Sequence, residues 1–360
     1  MKKLYQHSIE LILRTQAPNG AFPASPNFSA YRYCWLRDGT FIAYALDKAG
    51  EHEAVGRFYR WVDMAIRKHL PKLSLLLSRY RNGEPIEEAD FLHTRFTLEG
   101  DEGKEEWGNF QLDGYGAYLW GVSEHIGLTG NKDFLKDVDQ SVDATIRYLS
   151  TFWSVPNHDC WEEFGDRVHP STLAAIYGGL QAVYPYVSNS EIPKTLGAIR
   201  VALQENGVQN GRFIKSFGNP SIDANLLWLS VPFKVVPPNG QNMVKTVEEI
   251  ENRLVTGGVH RYPEDSFYGG GAWVLLTAWL GWYYAEIGNL KRAGELLDWV
   301  ESQTDADLSL PEQVPEALFF RDKYQEWVDR WGKPAKPLLW SHAMYIILAK
   351  RLQELTSSSD

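Results

Sequence analysis

Apolar residues recur at helical spacing along most of the chain, in segments separated by loops rich in Gly, Pro, Asn and Asp. The pattern predicts about twelve amphipathic helices, near residues 3–16, 38–49, 52–70, 111–127, 132–153, 171–187, 190–206, 221–230, 242–255, 271–287, 289–302 and 340–355. Gly50, Gly127, Gly130 and Gly288 fall where one helix ends and the next begins, the place of a left-handed residue that satisfies the last carbonyls. Turns this short predict antiparallel helix hairpins.

The even-numbered segments are the more apolar, for example LLTAWLGWYYAEI at 275–287 and HAMYIILAKRL at 342–352. Odd ones such as VKTVEEIENRL at 244–254 keep a polar face. Even helices are therefore expected inside and odd ones outside. Six pairs in 360 residues give about 60 residues per pair, and closing them into a ring buries each inner helix all round. The expected fold is all-α, an (α/α)6 barrel of six hairpins occupying 1–360 as one domain. An open solenoid of helix pairs is the alternative, with shorter and more uniform repeats.

Charge narrows the partners. A formal charge of −10 and a pI near 5.5 oppose nucleic acid and anionic membranes, which need clustered Lys and Arg. Aromatic residues make up 13%, including 14 Trp and 18 Tyr, and flat rings suit both a packed core and sugar stacking. Cys34 and Cys160 have no His or Cys at metal-ligand spacing, so neither a metal nor another cofactor is expected, and both read as free, small buried thiols. The start, MKKLYQHSIELILRTQ, breaks its apolar run at His7, Glu10 and Arg14, unlike a secretory signal, and no stretch is apolar enough to span a bilayer. A cytoplasmic location is expected. Whether the chain is monomeric is left open.

The unusual polar motifs fall just before or at the start of the even helices: Arg37-Asp38, Gln111 to Gly114, Trp161-Glu162-Glu163, Asp223 with Asn225, Arg261 to Asp265, and Trp340-Ser341-His342. Their mean spacing is about 60 residues, one motif per hairpin, so they should share one face. A funnel lined by carboxylates and rings suits a neutral polyhydroxyl ligand, because carboxylates accept hydrogen bonds from vicinal hydroxyls. Glycoside hydrolysis needs one carboxyl that keeps its proton and one carboxylate that activates water. Glu162, after Trp161 and Cys160, stands in an apolar setting that raises its pKa and is the better acid. Glu312, in the turn-forming Leu310-Pro311-Glu312-Gln313, precedes the last inner helix and is the better base.

Six pieces together resemble the glucoamylase family, family 15 of the glycoside hydrolases: YRYCWLRDG at 31–39, WGNFQLDGYG at 107–116, DCWEE at 159–163, RYPEDSFYGGGAW at 261–273, LPEQ at 310–313 and LLWSHA at 338–343. The resemblance is dispersed over most of the chain and rests on order and spacing. It implies a single catalytic domain that releases glucose with inversion from the non-reducing end of short α-gluco-oligosaccharides. Glu162 resembles the family's general acid and Glu312 its general base. Arg37 and Asp38 would hold the glucose of subsite −1, Trp107 would orient the acid, and Glu163 would contact sugar. Arg261 and Glu264, with Trp273 behind them, resemble the sugar-binding group of later subsites. Trp35, Asp113, Trp161 and Trp340 stand in the same motifs as further substrate-binding candidates. The accessory β-sandwich and starch-binding domains of larger relatives are not expected, which favours short substrates, α-1,6-linked isomaltose slightly ahead of maltose types.

Simpler readings stand beside these. Arg37-Asp38 also suits a helix start, Glu163 an ion pair with Arg167, and the tryptophans plain core packing. His342 reads as a satisfied core residue rather than a pocket donor. Rival functions are a trehalase-like hydrolase, a carbohydrate-binding protein with little catalysis, a sugar epimerase, which would want paired histidines, and a helical scaffold.

Overall fold

The computed structural model describes residues 2–357. Among them the α-helices are α1 (Lys2–Thr15), α2 (Leu36–Ala49), α3 (His52–Lys68), α4 (Leu70–Arg81), α5 (Asp113–Thr129), α6 (Asp139–Phe152), α7 (Pro170–Val183), α8 (Glu191–Asn206), α9 (Gln241–Leu254), α10 (Val274–Glu286), α11 (Leu290–Ser302), α12 (Arg321–Trp331) and α13 (Leu339–Ser357). Each inner segment packs on its neighbour in the order α2, α5, α7, the 3-10 turn Ala224–Leu229, α10, α13, and α13 returns to α2. The ring is closed and the fold is the (α/α)6 barrel. Helices α1, α3, α6, α8, α9 and α11 form the outer layer.

Composition decides which helix is inside. Eleven of the thirteen residues of α10 are buried, whereas α9 buries only Met243, Thr246, Val247, Ile250 and Leu254, one stripe at helical spacing. The hairpin α2–α3 turns at Gly50, whose φ of 93° lets its N–H reach Asp47 O at 3.0 Å before α3 starts at His52. Inner helices approach closely where side chains are smallest. A Cβ on Gly179 of α7 would lie 2.1 Å from the Gly116 carbonyl oxygen of α5. The two ends of the chain meet, with Ser8 Oγ of α1 2.8 Å from His342 Nδ1 of α13.

Several boundaries differ from the sequence pattern. The segment expected as a helix at 221–230 is only a 3-10 turn, because Pro232 stops it and Asp223 caps it by accepting the Asn225 N–H at 2.9 Å. The expected helix 132–153 is a 3-10 run at Lys132–Asp137 followed by α6, and 171–187 ends at Val183 ahead of a 3-10 turn containing Pro185. Helix α4 was not anticipated: Pro71 reads as punctuation but sits in a first turn, where its missing N–H costs nothing. Helix α12 was also missed, since no residue of it is buried and it carries no core periodicity. Among the described residues no helix is long and apolar enough to cross a membrane.

Two glycines of similar helical position should respond oppositely to the same change. Gly179→Ala should destabilise by about 1–3 kcal/mol or more, because backbone must move to admit the methyl. Gly197→Ala on α8, with nothing within 4 Å of the added Cβ, should stabilise by roughly 0.5–1 kcal/mol. Urea denaturation of both variants checks this, and a neutral Gly179→Ala would remove the close-approach argument.

Candidate active site

The inner helices begin at one end of the ring, and there the loops enclose a pocket of about 700 Å³. Trp35, Arg37, Asp38, Trp107, Trp161, Glu162, Glu163, Arg261, Trp273, Glu312 and Trp340 all line it. Asp113 lies just behind, fully buried, and Glu264 is outside. A second groove of about 330 Å³, between α9 and α10, contains none of the motif residues.

One wall is built by α2, α5 and a short two-stranded ladder in which Cys34–Trp35 pairs antiparallel with Arg95–Phe96. Arg37 Nη1 donates to Asp113 Oδ2 and Gln111 Oε1, each at 3.0 Å, and Arg37 Nε lies 3.3 Å from Asp38 Oδ2. Asp113 thus holds the arginine through Oδ2 from behind the pocket wall. The guanidinium of Arg37 sits 5.3 Å from the Trp340 ring, forming the floor. Burial pushes the Asp38 carboxyl up to about 7; Arg37 opposes this, while Glu162 and Asp113 add to it.

Glu162 projects from a tight turn, Asp159 to Glu163. The Asp159 carboxylate accepts the backbone N–H of Trp161 at 2.9 Å and of Glu163 at 3.1 Å, which places Glu162 at a left-handed φ of 68°. Such a conformation in a residue with a Cβ is sustained only where the surroundings over-determine it. The indole N–H groups of Trp35 and Trp107 donate to the two Glu162 oxygens, one each. Gly108 lets the Trp107 strand pass beside this turn, since a Cβ there would lie 3.0 Å from Glu162 O. The immediate setting is therefore not apolar, as Cys160 and Trp161 suggested, but a pair of indole donors inside a buried wall. Burial raises the Glu162 pKa, while Arg37 and the indole donors lower it. Arg95, 1% exposed, stacks its guanidinium 4.4 Å from the rings of both Tyr33 and Trp107, and Glu105 meets it at 3.4 Å.

Glu312 faces the same pocket from a bend in the loop, immediately before a two-residue strand. Gln313–Val314 pairs with Ala272–Trp273, and Glu312 N donates to Ala335 O at 2.9 Å. From below, Ser341 Oγ donates to Pro311 O at 2.8 Å and His342 Nε2 accepts Leu310 N–H at 3.0 Å. His342 is fully buried and its pKa falls to about 3 by burial, as befits a core residue. The Tyr31 hydroxyl donates to Glu312 Oε1 at 2.9 Å. Burial pushes Glu312 up to about 8; Tyr31 and Arg261 oppose the shift, and Asp38 and Glu162 add to it. Three carboxyls thus repel one another around one cavity and titrate as a set.

On the remaining side Arg261 grips Asp265 through Nε at 2.8 Å and Nη2 at 2.5 Å, with its guanidinium 5.2 Å from the Trp273 ring. Glu163 pairs with Arg261 at 3.4 Å and accepts the Tyr262 hydroxyl at 2.5 Å; the alternative partner, Arg167, reaches Asp166 instead. The RYPED segment reverses after Tyr262, turning Arg261 and Asp265 inward and leaving Glu264 exposed on Ser221 Oγ at 3.1 Å. Beneath lies a buried ionic cluster: Lys215 bonds Asp223, stands 3.8 Å from Asp159 and covers the Tyr262 ring at 3.4 Å. Asp223 in turn accepts the Trp161 indole N–H at 3.1 Å. Burial pushes Asp159 up to about 6 against the pull of Lys215.

Sequence reasoning missed Tyr31, Tyr33, Arg95, Glu105, Phe267, Tyr268, Trp327, Arg330 and Trp331, all on the pocket wall. Tyr31 and Tyr33 stand in the same motif as Trp35 and Arg37, YRYCWLRDG, so these two were detectable by position, although Tyr31 ends a 3-10 turn. The residues of α12 offered no such signal.

Comparison with known proteins agrees with the geometry. The sequence model of Glycosyl hydrolases family 15 matches residues 1–305. An isomaltose glucohydrolase of Kribbella flavida is 41% identical over 360 residues, covering 98% of this chain and 93% of its own. A solved glycosidase superposes with a TM-score of 0.94 at 42% identity, over 98% of this chain and 96% of that one. A bacterial glucoamylase solved with acarbose shares the fold, at TM-score 0.74 and 19% identity, over 97% of this chain and 55% of that one.

The ionic cluster should be essential to the wall. Lys215→Met strands Asp223 and Asp159 without their cation and should cost about 3–5 kcal/mol in thermal or urea unfolding. The double variant Lys215→Met/Asp223→Asn should recover part of that loss. If the single variant is as stable as the wild type, the cluster is not what holds Trp161.

Proposed function

The chain belongs to family 15 of the glycosyl hydrolases, and from that premise we propose that it removes terminal α-glucose with inversion, with Glu162 as general acid and Glu312 as general base. The observation that carries the assignment is the pair of buried carboxyls facing one pocket, each held by its own donors, above a floor of Arg37, Asp38 and Trp340.

The non-reducing glucose would rest on that floor, its hydroxyls bonded by Asp38 and Arg37, and the chain enters only from the loop side because the ring closes below. Each indole occupies one lone pair on one Glu162 oxygen, leaving a second for the proton that passes to the glycosidic oxygen. Tyr31 holds Oε1 of Glu312, leaving Oε2 to take a proton from the attacking water. Water enters from the face opposite the leaving group, so the anomeric centre inverts. Trp35 and Tyr31, in edge contact at 5.7 Å between ring centres, bridge the two carboxyls and keep them apart. A packing of α1 on α13 supports reading 1–360 as one catalytic domain. The Kribbella relative is named for isomaltose, which puts α-1,6 linkages ahead of α-1,4 and α,α-1,1.

Proton NMR of the first product from isomaltose, maltose and trehalose tests this. The terminal residue should be released as β-glucose, giving an early β excess over the leaving sugar's own anomers, fastest from isomaltose, and Glu162→Gln and Glu312→Gln should each lower kcat by at least about a thousandfold. Release of the terminal residue itself as α-glucose, over and above the leaving sugar in its own anomeric form, would exclude inversion, and full activity in Glu162→Gln would exclude the acid.

The base works only when ionised, so its protonation sets the acid limb of the pH–rate profile. With the carboxyl set displaced upward, that limb should lie above the ordinary glutamate range of about 4.3. Tyr31→Phe removes a donor that favours the ionised form; the Glu312 pKa should rise and the limb move to higher pH, with the alkaline limb less affected. An unchanged or lowered acid limb would separate Tyr31 from the base.

A further inference from the structure

At the end of the ring opposite the pocket, Asp47 in the last turn of α2 meets two imidazoles. His52 Nδ1, at the first residue of α3, lies 2.8 Å from Asp47 Oδ1, and His125 Nδ1 of α5 lies 2.9 Å from Asp47 Oδ2. The ligand atoms of all three lie within 4.8 Å of one another, and no other such group of three His, Cys, Asp or Glu residues occurs among the described residues. Asp47 and His125 are buried, whereas the His52 side chain is 42% exposed and opens a path to solvent.

Asp47 is 1% exposed and its ion pairs are with these two histidines. Buried carboxylates persist when paired with a cation or bound to a metal. Two nitrogens and one oxygen from three rigid helices make the ligand set of a borderline transition ion, not of Mg²⁺ or Ca²⁺, which prefer all-oxygen shells.

We propose that Asp47, His52 and His125 bind one Zn²⁺, with water as the fourth ligand. Tetrahedral bonds of about 2.0–2.2 Å set ligand atoms roughly 3.3–3.5 Å apart, so the carboxylate would withdraw about half an ångström from its present contacts, and the two imidazole nitrogens, within 4.8 Å of each other, would settle at the same spacing. The ion fastens the α2–α3 hairpin to the neighbouring inner helix. From Asp38 to Asp47 the helix rises roughly 14 Å, so the ion takes no part in the chemistry of the pocket.

The test uses the full chain after chelator treatment, titrated with Zn²⁺ near neutral pH. One equivalent should bind, Tm should rise by roughly 3–4 °C at a hundredfold excess over Kd, and Co²⁺ in its place should give the intense visible absorption of a tetrahedral site. His52→Ala, at a half-exposed position that does not threaten folding, should weaken binding at least about a hundredfold and abolish that absorption, with glucosidase activity unchanged. A wild type that shows neither the Tm rise nor the Co²⁺ band overturns the site, and so does a His52→Ala variant that keeps both. Neither readout depends on hydrolysis, so the glucosidase assignment stands or falls separately.

Discussion

Everything at the pocket depends on α13 packing against α2. That contact turns a row of helix pairs into a ring, and a ring of hairpins forces the inner helices to run the same way. Their N-termini then meet at one end, where unpaired N–H groups and helix dipoles favour negative charge. Asp38 in the first turn of α2 and Asp113 at the head of α5 use that field. It is one reason several carboxyls can be buried together without each having a cation of its own.

The two central carboxyls are held by unrelated means. Glu162 depends on polar groups: a turn wrapped around Asp159, two indole donors, and Lys215 supporting both Asp159 and Asp223. Glu312 depends on backbone pairing, between a strand on one side and the first turn of α13 on the other. A change that loosens one support leaves the other in place, and Tyr31 on Glu312 and Trp35 on Glu162 join the two through their ring contact.

Periodicity made the ring legible, because each inner helix must be apolar all round and each outer one on a single stripe. Motif spacing then put Arg37, Glu162 and Arg261 on one rim, and the loop before the last inner helix added Glu312. The residues that escaped did so for physical reasons. Glu264 and Arg261 share a motif, but a reversal of the chain between them sends one out and one in. Arg95 works by stacking under rings that are distant in sequence. Asp47, His52 and His125 converge only because two helices happen to end and begin beside a third.

Helix α12 touches the barrel mainly through Trp327 against Phe267 and Tyr268, and none of its eleven residues is buried. It nevertheless supplies Trp327, Arg330 and Trp331 to the mouth of the pocket. Substitutions there escape the packing penalty that constrains the inner helices. Descendants of this chain can therefore drift in what they accept beyond the scissile bond while the part that breaks it stays the same, and selection for a new diet would find its raw material in this one helix.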